Sequence, residues 1–171
     1  ARGDANGSMS VDIADVVTQI AHLTNKNPQP FIFDAADVNS DGVVNILDVV
    51  ATINLIINPS AAGIMSVDNT AKYFIEEGIL YVESEVDLGG LQFRFAAPAD
   101  AEFKVLEALE GFEQVFEYDS ITGEHLFLAY SMVGKTIPAG RHALIEIGDA
   151  EMTEIILSDP TGRNVLPIDG T

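Results

Sequence analysis

The sequence predicts a two-domain α + β protein: a small all-α domain with a duplicated loop and helix, followed by an all-β sandwich of jelly-roll type. The first 58 residues contain two loops rich in Asp and Asn, each followed by an apolar helical pattern. After them, short runs of Val, Ile, Phe and Tyr alternate with Gly, Asp and Pro. Helical and strand patterns are therefore segregated along the chain. A length of 171 residues suits two domains of roughly 60 and 110 residues.

Composition excludes several classes of function. The formal net charge is -19, from 27 Asp and Glu against 8 Lys and Arg. This balance disfavours nucleic acid and anionic lipid and favours cations or a basic partner. No apolar run approaches the roughly 18 residues of a membrane span, so we expect no membrane insertion. Cysteine is absent, which excludes thiol catalysis, zinc-thiolate sites and disulfides in this sequence.

An internal repeat organises the predicted first domain, residues 1–58. Residues 4–23 align with residues 37–56 at an offset of 33. Both copies begin with Asp-x-Asn, have an Asp eleven residues after the first, and continue into Asp-Val-Val and an apolar helix. A duplication of this kind indicates a domain built from two copies of one unit.

The loop of the second copy, residues 37–48, has the spacing of an EF-hand calcium loop. Alternate residues of such a tight loop turn their oxygen atoms toward a hard cation. Gly42 permits the positive φ of the sharp bend. The expected ligands are Asp37, Asn39, Asp41, the carbonyl oxygen of Val43, Asn45 through a water, and Asp48.

The first copy has the same spacing but departs from it at two positions. Ser8 stands where the second copy has a carboxylate, and Met9 stands where it has glycine. Left-handed geometry costs a residue such as Met about 1 kcal/mol. We therefore expect two Ca²⁺ sites, of which the second is tighter. The expected first-site ligands are Asp4, Asn6, Ser8, the carbonyl oxygen of Ser10, Asp12 through a water, and Asp15.

Asp and Asn also mark solvated turns and helix caps, which is the alternative interpretation of either loop. Two loops in phase, each leading into a helix, favour the metal site.

The helices after the loops are apolar on more than one side. We expect a stripe on the first helix to pack against a stripe on the second. A further apolar face on the second helix is a candidate partner surface, although it fits burial against the rest of the chain equally well. The two stripes are Ile13, Val16, Val17, Ile20 and Leu23, and Ile46, Val49, Val50, Ile53, Ile56 and Ile57. The candidate partner surface is Ile46, Leu47, Ala51 and Leu55.

The segments GDANGSMSVDIADVV and DVNSDGVVNILDVV, with no helix entering the first loop, resemble a type I dockerin repeat over residues 1–58. The resemblance implies calcium-dependent binding to a cohesin module, in a secreted bacterial protein of a polysaccharide-degrading or cell-surface assembly. It further implies that the pair before each last ligand, Ile13-Ala14 and Ile46-Leu47, contacts the cohesin. Both pairs are apolar where many dockerins are polar. The implied location is extracellular or at the cell surface, for a fragment of a longer protein.

Residues 59–63 are the predicted linker, and residues 64–171 are the predicted sandwich of about nine strands. Within GLQFRF, the side chains of Leu91, Phe93 and Phe95 are expected to face one way and those of Gln92 and Arg94 the other. The order of the strand runs, with the patches IPAG and SDPTG, also resembles a cohesin-like sandwich.

The two resemblances together imply three arrangements. The first domain could pair with the sandwich of the same chain, pair head to tail with a cohesin-like module of another chain, or pack side by side with the sandwich through Leu47 and Leu55. A short linker favours pairing within the chain because it raises the effective concentration.

No group of residues forms a recognisable catalytic site, so we expect no enzyme. His22, His125 and His142 are isolated from one another and from any nucleophile motif. The alternative function is glycan binding by the sandwich, with the first domain structural. Aromatic faces stack on sugars, and a planar row of exposed tyrosines would favour this alternative. The available tyrosines are Tyr73, Tyr81, Tyr118 and Tyr130.

Overall fold

The computed structural model describes residues 2–58 and 69–171. The predicted linker, residues 59–63, lies outside the described residues. Residues 2–58 form a small helical domain, and residues 69–171 form a nine-stranded β-sandwich. The predicted fold class is therefore confirmed.

The helical domain contains three helices, of which the first and third belong to the two repeats. Each of these two helices begins at a capping box. The side chain of the residue before the helix accepts a backbone N–H of the first turn, and an Asp at the third helical position accepts the backbone N–H of that capping residue. The caps are Asp12 with Asp15 and Asn45 with Asp48. The helices are α1 (Ile13–Leu23), α2 (Phe33–Ala36) and α3 (Ile46–Ile57).

A buried glutamine joins the two repeats. The side-chain amide of Gln19 in α1 donates to the carbonyl oxygen of Ala36 at 3.0 Å and to Oγ1 of Thr52 in α3 at 3.0 Å. Both Gln19 and Thr52 are fully buried, and buried hydrogen bonds fix the relative position of the groups they connect.

The expectation that the two apolar stripes pack together is correct for only part of each stripe. Val16 and Leu23 of α1 share a buried cluster with Val49 and Ile53 of α3. Ile46, Val50 and Ile20 belong to or pack against the same cluster, whereas the remaining stripe residues are exposed, because two crossing helices touch over a limited area. Exposed fractions of the outlying residues are 54% for Ile13, 62% for Val17, 36% for Ile56 and 43% for Ile57.

The sandwich has two layers. One has the strand order β4-β7-β2-β1-β9 and the other β8-β3-β6-β5, with β8 and β9 joined by a short pairing. All pairs are antiparallel except β1 with β9. The strands are β1 (Asn69–Glu76), β2 (Ile79–Ser84), β3 (Gly90–Ala96), β4 (Lys104–Val105), β5 (Glu113–Asp119), β6 (Glu124–Tyr130), β7 (Gly140–Glu146), β8 (Glu151–Ser158) and β9 (Asn164–Asp169).

The alternation predicted in β3 places its apolar side chains in the core between the layers. Leu91, Phe93 and Phe95 are fully buried there. The ring of Phe93 stacks on that of Phe127 in β6, with centroids 6.0 Å apart. The opposite face of β3 therefore points out of the sandwich.

The helical domain covers that outer face. Gln92 is only 3% exposed, and its Oε1 accepts the backbone N–H of Ile46, the first residue of α3, at 3.0 Å. On the neighbouring strand β6, Leu126 and Leu128 are buried in one cluster with residues of α1 and α3. A strand with both faces buried lacks the usual polar side, which explains the apolar run in HLFLAY. The two domains thus pack side by side.

The contact between α3 and the sandwich needs two positions without side chains. A Cβ atom on Gly90 would lie 2.5 Å from Cγ2 of Val50, and one on Gly162 would lie 2.5 Å from Cβ of Ala51. Both distances are far below carbon-carbon contact, so glycine is what lets the helix lie this close to the sheet.

Replacement of Gly90 by Val is expected to separate the domains without unfolding either one. The added side chain overlaps Val50, and overpacking of this kind costs about 1–3 kcal/mol. Hydrogen exchange of the β6 amides and of the α3 amides should increase relative to the parent chain. Ala96→Val, at the other end of β3, is the control and should leave exchange in α3 unchanged. Equal protection of α3 in the Gly90→Val variant would contradict the close contact.

Candidate metal centre

The second loop is closed by hydrogen bonds from its own backbone to the predicted ligands. Oδ1 of Asp37 accepts the N–H of Asp41 at 3.2 Å, and Oδ2 accepts the N–H of Gly42 at 2.9 Å. Oδ1 of Asn39 also accepts the N–H of Asp41, at 3.2 Å. Gly42 has φ of 87°, which glycine adopts without strain. The side-chain oxygens are therefore held on the inner side of the loop.

Three of the loop carboxylates converge on one point. Asp37, Asp41 and Asp48 each place an oxygen within 4.8 Å of the others. Carboxylates this close repel one another unless a cation lies between them. Oxygen ligands from a flexible loop are what Ca²⁺ prefers, so the residues present fit that metal.

Asp48 is the most deeply buried member of the cluster. Its side chain is fully buried, and burial raises the pKa of this carboxyl to about 6, with smaller contributions from Asp41 and Asp37. The backbone N–H groups of Asn45, at 2.9 Å, and Asn39, at 3.4 Å, act in the opposite direction and lower the pKa. The charged form of Asp48 is thus costly in the absence of a cation.

Asn45 has a second role besides the predicted water-mediated one. Its Oδ1 accepts the N–H of Leu47 at 2.9 Å and caps α3. Val43, whose carbonyl oxygen is the predicted ligand, has an exposed side chain, and its N–H donates to Oδ1 of Asp41 at 3.0 Å. The loop and the start of α3 are therefore one hydrogen-bonded unit.

The first loop has the same backbone arrangement, with Ser8 at the position of Asp41. Oδ1 of Asp4 accepts the N–H of Ser8 at 2.9 Å, and Oδ2 accepts that of Met9 at 2.9 Å. Met9 has φ of 75°, the left-handed geometry that its position in the repeat requires. Among the residues the structure describes, only the second loop brings three metal-type acidic side chains together.

The other predicted ligands of the first loop lie around Ser8 and the start of α1. Oγ of Ser8 lies 3.3 Å from the carbonyl oxygen of Ser10 and 3.4 Å from Oδ1 of Asp4. Asp15 is fully buried and accepts the N–H groups of Asn6 at 3.2 Å and Asp12 at 2.8 Å. These contacts match those of Asp48 in the second loop.

The candidate partner surface on α3 is divided between two environments. Ile46 and Leu47 are buried, and Ala51 lies against Gly162 of the sandwich. Leu55 instead lies against Gly3 at the start of the helical domain.

The sequence pattern did not identify two residues of the contact between the helical domain and the sandwich. Val50 was assigned to the stripe facing α1, whereas it contacts the sheet at Gly90. Gln92 has the pattern of a solvent-facing strand residue, and only its burial under α3 reveals its role. A further indication in the sequence was the continuous apolar run of β6, which signals burial on both faces.

The four tyrosines do not form a row. Tyr73 in β1 packs against the sandwich core, and Tyr130 in β6 packs against the cluster beneath the helical domain. Tyr81 in β2 contacts the guanidinium of Arg141, and Tyr118 in β5 lies beside the ring of His125. They are spread over both layers of the sandwich.

The three histidines are also separate. The ring of His22 stacks on Phe31, while His125 and His142 each contact a proline carbonyl oxygen through Nε2 at 2.8 Å. In the described part of the chain, none of the helices is long and apolar enough to span a membrane.

The chain matches a protein-family model, and its structure is similar to solved structures. Residues 2–57 match the model of the family described as dockerin type I domain. The structure is similar to the non-cellulosomal cohesin from the hyperthermophilic archaeon Archaeoglobus fulgidus, with 10% sequence identity and a TM-score of 0.39, over 60% of this chain and 86% of that one. No curated protein matches the sequence.

The family match covers both loops and the helices α1, α2 and α3. It confirms the predicted resemblance of the repeat to a type I dockerin. Residues 2–57 are a dockerin type I domain, a non-catalytic protein–protein interaction module of a calcium-binding family.

Proposed function

We propose that this chain is a calcium-organised interaction module whose dockerin domain docks onto its own sandwich and forms a rigid tandem. The observation that carries the proposal is the buried contact between Gln92 and the N–H of Ile46. It lies within an apolar interface that includes Leu126 and Leu128 of the sandwich. A well-packed interface of this kind restricts relative domain motion.

Calcium organises the dockerin domain in this proposal. The second loop holds one Ca²⁺ through its three converging carboxylates, with Asn39, the Val43 carbonyl oxygen and Asn45 completing the set. The first loop holds another, more weakly, because Ser8 replaces a carboxylate. The first-loop ligands are Asp4, Asn6, Ser8, the carbonyl oxygen of Ser10, Asp12 and Asp15. Because Ca²⁺ binds the folded domain and not the unfolded chain, its binding stabilises the fold.

The second calcium site adjoins the domain contact. Asp48 is the last loop ligand and also the third residue of α3, two residues after Ile46, which contacts Gln92. A cation that fixes Asp48 therefore fixes the first turn of the helix that the sandwich binds. Calcium thereby supports the tandem as well as the loop.

The repeat leaves an equivalent surface on α1 for a partner in trans. At the offset of 33, Ile13, Ala14 and Val17 correspond to Ile46, Leu47 and Val50. All three are exposed on α1, whereas their counterparts on α3 are buried. We propose that a cohesin-type module binds there, in an extracellular polysaccharide-degrading or cell-surface assembly.

Asp48→Asn is expected to weaken the tighter of two calcium-binding events. The variant removes one carboxylate from the cluster, and calcium affinity should fall about tenfold or more. Titration calorimetry on the chelator-treated chain measures both events. Asp15→Asn, the matched change in the first loop, should remove only the weaker event. A single event, or loss of the weaker event on changing Asp48, would contradict the assignment.

Calcium affinity at the second loop is expected to fall with pH below about 6. In the metal-free chain the pKa of Asp48 is about 6, and Ca²⁺ must displace this proton. Below that pH the affinity should fall up to about tenfold per unit. Titrations at pH 7.5, 6 and 5 measure the change. Asp48→Asn should flatten the dependence, and an equally steep dependence in that variant would contradict the role of Asp48.

The metal-free domain should show the opposite trend in stability. A folded pKa raised above the unfolded value of 3.8 contributes stability below that value, and the contribution is lost as pH rises through about 6. The loss is on the order of 3 kcal/mol, at about 1.4 kcal/mol per unit. Protonation of other carboxylates at low pH reduces the net negative charge and also stabilises the fold. The difference in melting temperature between the parent chain and the Asp48→Asn variant at each pH therefore isolates the contribution of Asp48.

Ile13→Asp with Val17→Asp is expected to weaken binding of a type I cohesin module at least tenfold, because two charges enter an apolar contact. Surface plasmon resonance in excess calcium measures the affinity. Leu166→Asp is the control, since Leu166 is 52% exposed and Ile13 is 54% exposed. An unchanged affinity in the double variant would place trans binding elsewhere.

A further inference from the structure

We propose that β5, at the edge of the sandwich, binds an extended basic peptide by strand addition. This inference concerns Glu113–Asp119 and the groove beside it, and it is independent of the calcium loops. The expected ligand alternates apolar and basic residues.

β5 is a long edge strand that is protected by acidic side chains but not by shortness, Lys, Pro or a bulge. It is the last strand in its sheet and pairs with β6 over all seven residues without a register shift. The strand at the other end, β4, has two residues. Natural edges are commonly blunted by shortness, Lys, Pro or a bulge, and β5 has none of these. Alternate backbone groups of an edge strand point away from its single neighbour and can pair with an added strand.

One face of β5 presents aromatic side chains to a groove. Phe116 and Tyr118 are 39% and 40% exposed, and they line a cavity of about 280 Å³ together with Phe103 and His125. The ring of Phe116 stacks on Phe103 at 5.7 Å. The ring of Tyr118 lies 4.7 Å from that of His125, which is buried. The groove therefore offers aromatic surface to the side chains of an added strand.

The other face of β5 is acidic. Glu113, Glu117 and Asp119 alternate with the groove-facing residues, and Val115 between them packs toward the helical domain. Lys26 of the helical domain forms an ion pair with Glu117, so this row already accepts an ammonium group. A strand added beside β5 with basic residues on this face would be complementary in charge.

The same charges disfavour pairing between two copies of this chain. In an antiparallel pair centred on Phe116, Glu113 of one copy would lie opposite Asp119 of the other. Like charges directly opposite one another are destabilising. The acidic row therefore disfavours pairing of β5 with a second copy of β5 and favours pairing with a basic strand.

The test uses a synthetic twelve-residue peptide of alternating Lys and Val, titrated into the calcium-loaded chain. Hydrogen exchange resolved by residue should show at least tenfold slower exchange of alternate amides in β5. A peptide of equal charge with N-methyl groups on alternate residues is the main control, because it cannot donate the hydrogen bonds of an added strand. It should give no protection, whereas attraction to the net charge alone would affect both peptides equally.

Variants separate the two faces. Tyr118→Ala should weaken binding about tenfold through the groove, and Glu113→Gln about threefold through the acidic row. Ile168→Ala is the control for the first, because Ile168 in β9 is 41% exposed, and Glu151→Gln in β8 is the control for the second. Equal protection by both peptides, unchanged binding by Tyr118→Ala, or the same β5 protection by cellohexaose would overturn the proposal.

Discussion

The first turn of α3 is the point on which the two-domain structure depends. Within four residues, Asn45 caps the helix, Ile46 donates its backbone N–H to Gln92 of the sandwich, and Asp48 closes the candidate calcium loop. A helix start has backbone N–H groups without partners inside the helix, and these groups need partners from elsewhere. Here the cap, the loop carboxylate and the neighbouring domain supply them. The loop, the helix and the domain contact are consequently parts of one hydrogen-bonded arrangement.

The dockerin domain is symmetric in sequence but not in its surroundings. Both repeats have a capping box, a left-handed residue at the bend and a buried closing Asp. One sandwich can cover only one of the two equivalent helix faces. It covers the face of α3, where Gly90 and Gly162 leave room for the helix. The face of α3 is thus buried against the sandwich of the same chain, whereas the equivalent face of α1 is exposed to solvent.

The four-stranded layer of the sandwich has different surroundings on its different sides. Its inner face forms the core, its outer face is covered by the dockerin domain, and no other described strand pairs with its edge at β5. The edge combines an aromatic groove with a row of carboxylates in a chain whose net charge is -19. Attraction of basic partners is a property of the whole surface, but only the edge offers backbone groups and alternating side chains in register with an extended peptide.

Sequence patterns alone were enough to predict the two-domain class, the duplicated loops with their oxygen-bearing residues, and the inward alternation of β3. These features depend on local spacing: a loop ligand set, a helix cap and a strand period are each defined within a few residues. The packing of the folded chain was needed to see which apolar residues of α3 contact α1 and which contact the sheet. It also showed that Gln92 is buried and that β5 is an edge. Each of these depends on which distant segments pack together, and the width of an apolar stripe does not specify its partner.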